Sequence, residues 1–275
     1  MQEKGKLYIV STPIGNMEDI TYRAVRILKE VSYIAAEDTR HSRILLNKLD
    51  IDTRLVSFHE YSSREKAERI VGDLLEGNDI ALITDAGTPI ISDPGVELTK
   101  LAAKEGIEIL TVPGPCAAIA AITVSALDAR RFIFEGFLPK DNSRKDMLKK
   151  IMENEYTSIV YESPHHLLDT LKDISLLDAD REISVCKELT KVYENVFRGR
   201  AKEIYDSFSG TEIKGEYIIL ISGKKKVPEV IDDEAIIRCA EKYAGTGLRT
   251  KEIAARVGEE LGVGKNQVYK LLIEQ

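Results

Sequence analysis

Residues 80–105 read IALITDAGTPIISDPGVELTKLAAKE, and they contain one full unit of the fold. Residues 80–84 are an apolar, β-branched run too short for a buried helix, so they read as a strand. Residues 85–95 are a polar loop rich in Gly and Pro, and in 96–105 apolar residues return at helical spacing. Working outward, the same rhythm recurs. Strands are expected at 7–11, 33–36, 55–58 and 107–112, with helices at 19–30, 42–48 and 64–76 between them. Alternation of this kind argues for βαβ units and a mostly parallel sheet.

After Val112-Pro113-Gly114-Pro115 comes a small-residue helix over 116–127 and then a second set of elements. Strands are expected at 132–134, 158–161, 183–187, 195–198 and 216–222, and helices near 146–153, 167–176 and 202–208. Several connections are short, which favours more antiparallel pairing. The fold class is therefore α/β, with a parallel-sheet domain over 1–115 and a mixed-sheet domain over 116–223. Residues 224–228 read as a linker. The module over 229–275 carries helices at 232–243, 250–260 and 265–273, the last two joined by Gly262-Val263-Gly264 in a helix-turn-helix-like arrangement.

Composition bounds the function. The 275 residues are 43% hydrophobic and 31% charged, which excludes general disorder. The net charge of -7 excludes a global positive field for nucleic acid, although 130–150 is locally basic. Three widely spaced cysteines exclude a disulfide scaffold and a structural zinc site. Apolar runs fall short of the roughly 20 residues of a membrane span. The first ten residues are too polar for a signal peptide, so a cytoplasmic location is expected. P-loop, dinucleotide-fingerprint, zinc-protease and nucleophile-elbow signatures are missing.

What the sequence offers instead is four polar loops placed directly after strands: 11–16, 37–41, 85–95 and 113–117. In open parallel sheets, ligands bind outside the carboxyl ends of the strands. Gly87 and Gly114 permit close backbone approach, and Thr12, Thr88 and Ser92 supply hydroxyl donors. Asp85 suits an ammonium, and the amides opening the 94–105 helix suit a carboxylate. An amino-acid-bearing ligand such as S-adenosylmethionine fits this inventory, which does not by itself identify it.

The segments STPIGNMEDI, AEDTRHSRILL, ITDAGTPIISDPG, VPGPCA, FEGFLP, YESPHH and KELTK, in this order, resemble the ribosomal RNA small-subunit methyltransferase I family of the tetrapyrrole-methylase superfamily. The resemblance spans the whole chain. It implies methyl transfer from S-adenosylmethionine to the ribose 2'-hydroxyl of a cytidine in the decoding region of 16S rRNA. It also implies a cofactor in the cleft between two α/β domains, a homodimer, and the small ribosomal subunit as partner, with no membrane role. Cofactor contacts carried over by position are Pro13, Asp85, Ala86, Gly87, Thr88, Ile91, Cys116, Ala117, Glu162 and Leu189. The chain departs from the tetrapyrrole enzymes at DAGTP, where they resemble GGDP, and has Cys116 where Ser or Thr is more familiar.

A ribose hydroxyl is a poor nucleophile at neutral pH, so a base or strong acceptor is expected. The candidates are Glu37, Asp38, Glu188 and Lys191, with Lys187 beside them. Arg40 and Arg43 suit RNA phosphate, His41 suits stacking or a hydrogen bond, and Arg144 and Lys145 lie in the basic 130–150 stretch. The alternatives are tetrapyrrole (precorrin-type) C-methylation or diphthamide-type protein methylation on the same fold, and a DNA-binding regulator built on the C-terminal helices.

Overall fold

In the computed structural model, which describes residues 3–59, 64–225 and 232–274, the first half of the chain alternates strand and helix throughout. It forms β1 (Leu7–Val10), α1 (Tyr22–Glu30), β2 (Tyr33–Ala36), α2 (Thr39–Lys48), β3 (Leu55–Ser57), α3 (Arg64–Leu75), β4 (Ile80–Ile83), α4 (Val96–Lys104) and β5 (Ile109–Val112). The five strands are all parallel, in the order β3-β2-β4-β1-β5.

β2 and β4 are buried along their whole length, as central strands covered on both faces must be. Leu7, Ile9, Tyr33, Ala35, Ile80 and Leu82 point to one face and pack on Ile70 and Leu74 of α3 and Leu98 of α4. Val10, Ile34, Ala36, Ala81 and Ile83 point to the other and pack on Ala24, Ile27 and Leu28 of α1 and Leu46 of α2. The period-2 alternation of a strand thus divides one apolar run between two cores.

In the first half two helix starts differ from the sequence reading, and side-chain caps explain both. Residues 17–19 form a separate 3-10 turn, and α1 begins only after Thr21, whose hydroxyl accepts the Ala24 N–H. α2 begins earlier than residue 42 because Asp38 accepts the Arg40 N–H and caps it.

A second sheet follows α5 (Ala117–Val124). It is built from β6 (Phe132–Phe137), β7 (Thr157–Glu162), β8 (Glu182–Lys187), β9 (Asn195–Arg200) and β10 (Tyr217–Ile221). Its order is β6-β7-β10-β8-β9, with β6 parallel to β7 and all other pairs antiparallel. β6 runs beyond residue 134 because the chain stays paired through an irregularity at Gly136, whose φ is +68°. Helices α6 (Ser143–Glu153), α7 (Leu167–Leu177) and α8 (Ala201–Phe208) cover one face of this sheet. α5 covers the other, burying Ala118, Ala121 and Ile122 against Ile159, Cys186, Ile218 and Leu220.

Both sheets belong to one compact unit, Met1–Lys224, and Lys225–Gln275 forms another. The expected linker lies, from residue 226 on, outside the described residues, as do residues 229–231. The second unit holds α9 (Asp233–Glu241), α10 (Thr250–Leu261) and α11 (Lys265–Ile273) around Ile236, Cys239, Ala254, Val257 and Val268. Gly262 ends α10 at φ +67°, the left-handed cap that glycine adopts without strain.

Candidate functional site

The crossovers leaving β1 and β4 run in opposite directions along the first sheet, so a crevice opens at their carboxyl ends. Backbone hydrogen bonds hold its floor together. The Thr12 N–H donates to Gly87 O at 2.8 Å, and the Gly87 N–H returns to Thr12 O at 3.1 Å. The Thr88 hydroxyl donates to Pro115 O at 2.9 Å. Its only proton is thereby committed, so Ser11 is the donor in the 3.0 Å Ser11–Thr88 hydroxyl contact. The loops after β1, β4 and β5 are thus fastened into one surface.

Above that floor lies a cavity of about 400 Å³, within the size range of small-molecule and cofactor sites. The first sheet contributes Ile14, Ala86, Gly87, Thr88, Ile91, Ser92 and Asp93. The second half contributes Cys116, Ala117, Phe137, the run Tyr161–Pro164, Cys186, Leu189 and the run Glu216–Ile218. Tyr161 fastens α5 to β7: its oxygen accepts the Ala118 N–H at 3.0 Å at the head of α5. Burial pushes the Tyr161 phenol up to about 12, so the hydroxyl keeps its own proton to donate. The Ser163 hydroxyl is buried in the wall with no partner among the described residues.

Glu162 is 5% exposed and its carboxylate is engaged on every side. It accepts the Ser163 N–H at 2.8 Å and the Thr170 hydroxyl at 2.5 Å, and pairs with Arg144 at 3.4 Å. Arg144 also donates to Thr170 and to His166 O.

Eight of the ten expected cofactor contacts line this cavity: Ala86, Gly87, Thr88, Ile91, Cys116, Ala117, Glu162 and Leu189. Pro13 and Asp85 do not. Pro13 is buried between the Thr12 bridge and Ile14, and Ile14 takes the wall position instead. Asp85 turns toward α2 and accepts the Asp38 N–H at 3.1 Å. The hydroxyls expected to face a ligand are also mostly taken. That of Thr12 donates to Thr84 O at 3.2 Å and that of Thr88 to Pro115 O, leaving Ser92 at the exposed rim.

The catalytic candidates divide in the same way. Asp38 caps α2 and is clamped by Arg40, whose guanidinium hydrogen bonds hold its carboxyl down at about 2. A carboxylate so stabilised is a weak base. Lys191 donates to Glu188 at 3.1 Å and to Glu216 at 3.0 Å. Burial disfavours its charge, but the two carboxylates outweigh burial, and the ammonium is held more firmly than usual. Glu188 is likewise pulled below its ordinary range: the Glu216 N–H and Lys191 overcome its burial. Neither is poised to take a proton. Glu37 accepts the Thr84 hydroxyl at 2.8 Å and does not line the cavity.

Of the RNA candidates, Arg40, His41 and Lys145 are exposed and Arg43 is half-buried. Arg144 is a correction: its side chain is only 14% exposed and is occupied by Glu162 and Thr170. Asp93, like Ile14, Tyr161 and Glu216, is a wall residue that the sequence reading did not single out. Its neighbours Ile90 and Ser92 have φ of +78° and +67°, a region that costs a non-glycine residue roughly 1–3 kcal/mol.

A profile of the family described as Tetrapyrrole (Corrin/Porphyrin) Methylases matches residues 6–205. A protein from Halalkalibacterium halodurans named ribosomal RNA small subunit methyltransferase I is 44% identical over 274 residues, 98% of this chain and 95% of that one. The fold resembles crystal structures of diphthine synthase, with a TM-score of 0.61 at 11% identity over 80% of this chain and 90% of that one. It also resembles uroporphyrin-III C-methyl transferase from Thermus thermophilus complexed with S-adenyl homocysteine, with a TM-score of 0.57 at 18% identity over 78% and 97%. This chain belongs to the ribosomal RNA small subunit methyltransferase I family, within the tetrapyrrole methylases.

Proposed function

We propose that this protein transfers the methyl group of S-adenosylmethionine to the ribose 2'-hydroxyl of a cytidine in the decoding region of 16S rRNA. The observation that carries the reading is the match, along nearly the full length of both chains, to a relative named for the small-subunit RNA. S-adenosylmethionine is the cofactor of this enzyme family, and the cavity residues fit it. Ile14, Leu189 and Ile218 offer apolar walls for a purine, and Ser163 a buried hydroxyl in need of a partner. The carboxylate of Glu216 at the cavity rim suits its positive charge. When bound, the cofactor supplies a methyl group already activated by a sulfonium.

The chain's part is alignment, exclusion of water and management of one proton. The loop surface is joined by hydrogen bonds through Thr12, Gly87, Thr88 and Pro115, and holding two reactants in line contributes several kcal/mol. Arg40 and His41 stand in the first turn of α2, next to the Asp38–Asp85 contact, where they suit an RNA backbone arriving at the cavity. Lys145 on α6 suits the same role, one residue from the Arg144 that braces Glu162. In this reading the sheets represent two domains, 1–115 and 116–223, and the enzyme works as a cytoplasmic homodimer beside the ribosomal subunit. Among the described residues no helix is long and apolar enough to cross a membrane.

The test is acceptor competition. Purified protein and labelled S-adenosylmethionine are offered small subunits from cells lacking the gene, free 16S rRNA, duplex DNA and a precorrin-type tetrapyrrole. Label in the ribosomal RNA, released as a ribose-methylated cytidine, is expected. Label in the tetrapyrrole, with none in RNA, overturns the proposal.

A further inference from the structure

We propose that Asp93 accepts the proton of the ribose 2'-hydroxyl during methyl transfer. The inference rests on the ribose reading above and adds the base that it requires. Three carboxylates line the cavity. Glu162 is consumed by Arg144, Thr170 and the Ser163 N–H. Glu216 is paired with Lys191 and points largely to solvent. Asp93 is half-buried in the wall, and among the described residues no cation pairs with it.

Its surroundings are acidic on several sides. Glu37 follows β2, Asp85 follows β4, and the Tyr161 phenol faces it from β7. The Thr84 hydroxyl reaches Asp93 as well, but its single proton is directed to Glu37 at 2.8 Å. That bond therefore offsets burial only in part. Burial, with the Glu37 and Asp85 charges, brings the Asp93 carboxyl up to about 6. A base is most effective when its affinity for a proton lies near the working pH, and Asp93 meets that condition where Asp38, Glu188 and Lys191 do not. The strained backbone at Ile90 and Ser92, respectively three residues and one residue before it, is the kind of feature retained where geometry serves function.

The balance is simple. As the oxygen–methyl bond forms, the sulfur–methyl bond breaks and the sulfur keeps that electron pair. The hydroxyl proton passes to the Asp93 carboxylate, which releases it to solvent after product leaves.

The experiment compares Asp93→Asn with the wild type in three measurements: single-turnover methyl transfer to small subunits between pH 5 and 8, calorimetric binding of S-adenosylhomocysteine, and identification of the methylated atom. A rate loss of about 10²–10⁴-fold is expected, the usual contribution of a general base. Binding should stay within about threefold, and the wild-type fall in rate below about pH 6 should vanish. Asp93→Ser carries the same expectation should Asp93→Asn not fold. A ribose-methylated product with the variant rate within threefold, or with the acid limb intact, overturns the role of Asp93 alone. A base-methylated product, or no product from the wild type, overturns the ribose reading and Asp93 with it.

Discussion

Gly87→Val is expected to weaken S-adenosylhomocysteine binding by about a hundredfold or more, roughly 2.7 kcal/mol, and methyl transfer with it. Gly87 has φ +83° and lies in the two-way bridge to Thr12 that forms the cavity floor. A β-branched residue is a strong outlier there, and the left-handed conformation alone costs about 1–2 kcal/mol. Space is short as well: an added Cβ would stand 3.2 Å from Cγ2 of Ile14, itself a wall residue. Two further methyl groups must displace Ile14 or break the bridge, and either reshapes the site. Calorimetry measures the affinity directly, and thermal melting separates local damage from unfolding. Affinity within threefold of wild type in a folded Gly87→Val protein would mean that the cavity is not the cofactor site.

The second large effect is on stability. Glu162→Ala should cost about 3–5 kcal/mol, because it leaves the Arg144 guanidinium mostly buried without its carboxylate. The Thr170 hydroxyl and the Ser163 N–H lose an acceptor at the same time. Replacing the pair together, as Glu162→Leu with Arg144→Met, should cost much less, since a buried ion pair exchanged for apolar volume is often close to neutral. Urea unfolding of the single and double variants gives both numbers. A cost below about 1 kcal/mol for Glu162→Ala would show that water or a rearranged Arg144 already satisfies the site.

The legibility of this fold has a physical basis. β2 and β4 are continuous apolar runs because helices cover both their faces, and polar Gly/Pro loops bound them, so their positions are readable from residue type. The same loops carry the cavity floor, so residue type alone points to Gly87 and Thr88, whereas Ala86 is reached only through the family resemblance. Side-chain direction is a different matter. Asp85 and Asp93 stand in one loop with the same chemistry, yet one caps an amide of the next loop and the other faces the cavity. Beyond Gly87, the turn that separates them passes through left-handed Ile90 and Ser92, and neither side chain advertises a positive φ as glycine would.

Arg144 is the matching case on the second half. In the sequence it is one of several cations on a helix, and only the packing of α6 against α7 reveals Thr170 and Glu162 within its reach. The pairing of Lys191 with Glu188 three residues before it was accessible in principle as local spacing. Its second partner, Glu216, comes from β10's approach and could not be read from spacing. Charge type is written in the sequence, but whether a charge is available for chemistry depends on long-range partners.

The most direct test of the functional account is mass-spectrometric mapping of 16S rRNA from cells with and without the gene. The account expects a methyl group on the ribose of a single cytidine in the decoding region, present only with the gene and restored by its re-expression. Identical methylation of the rRNA in both strains, or a gene-dependent methyl on a base instead of a ribose, would contradict it.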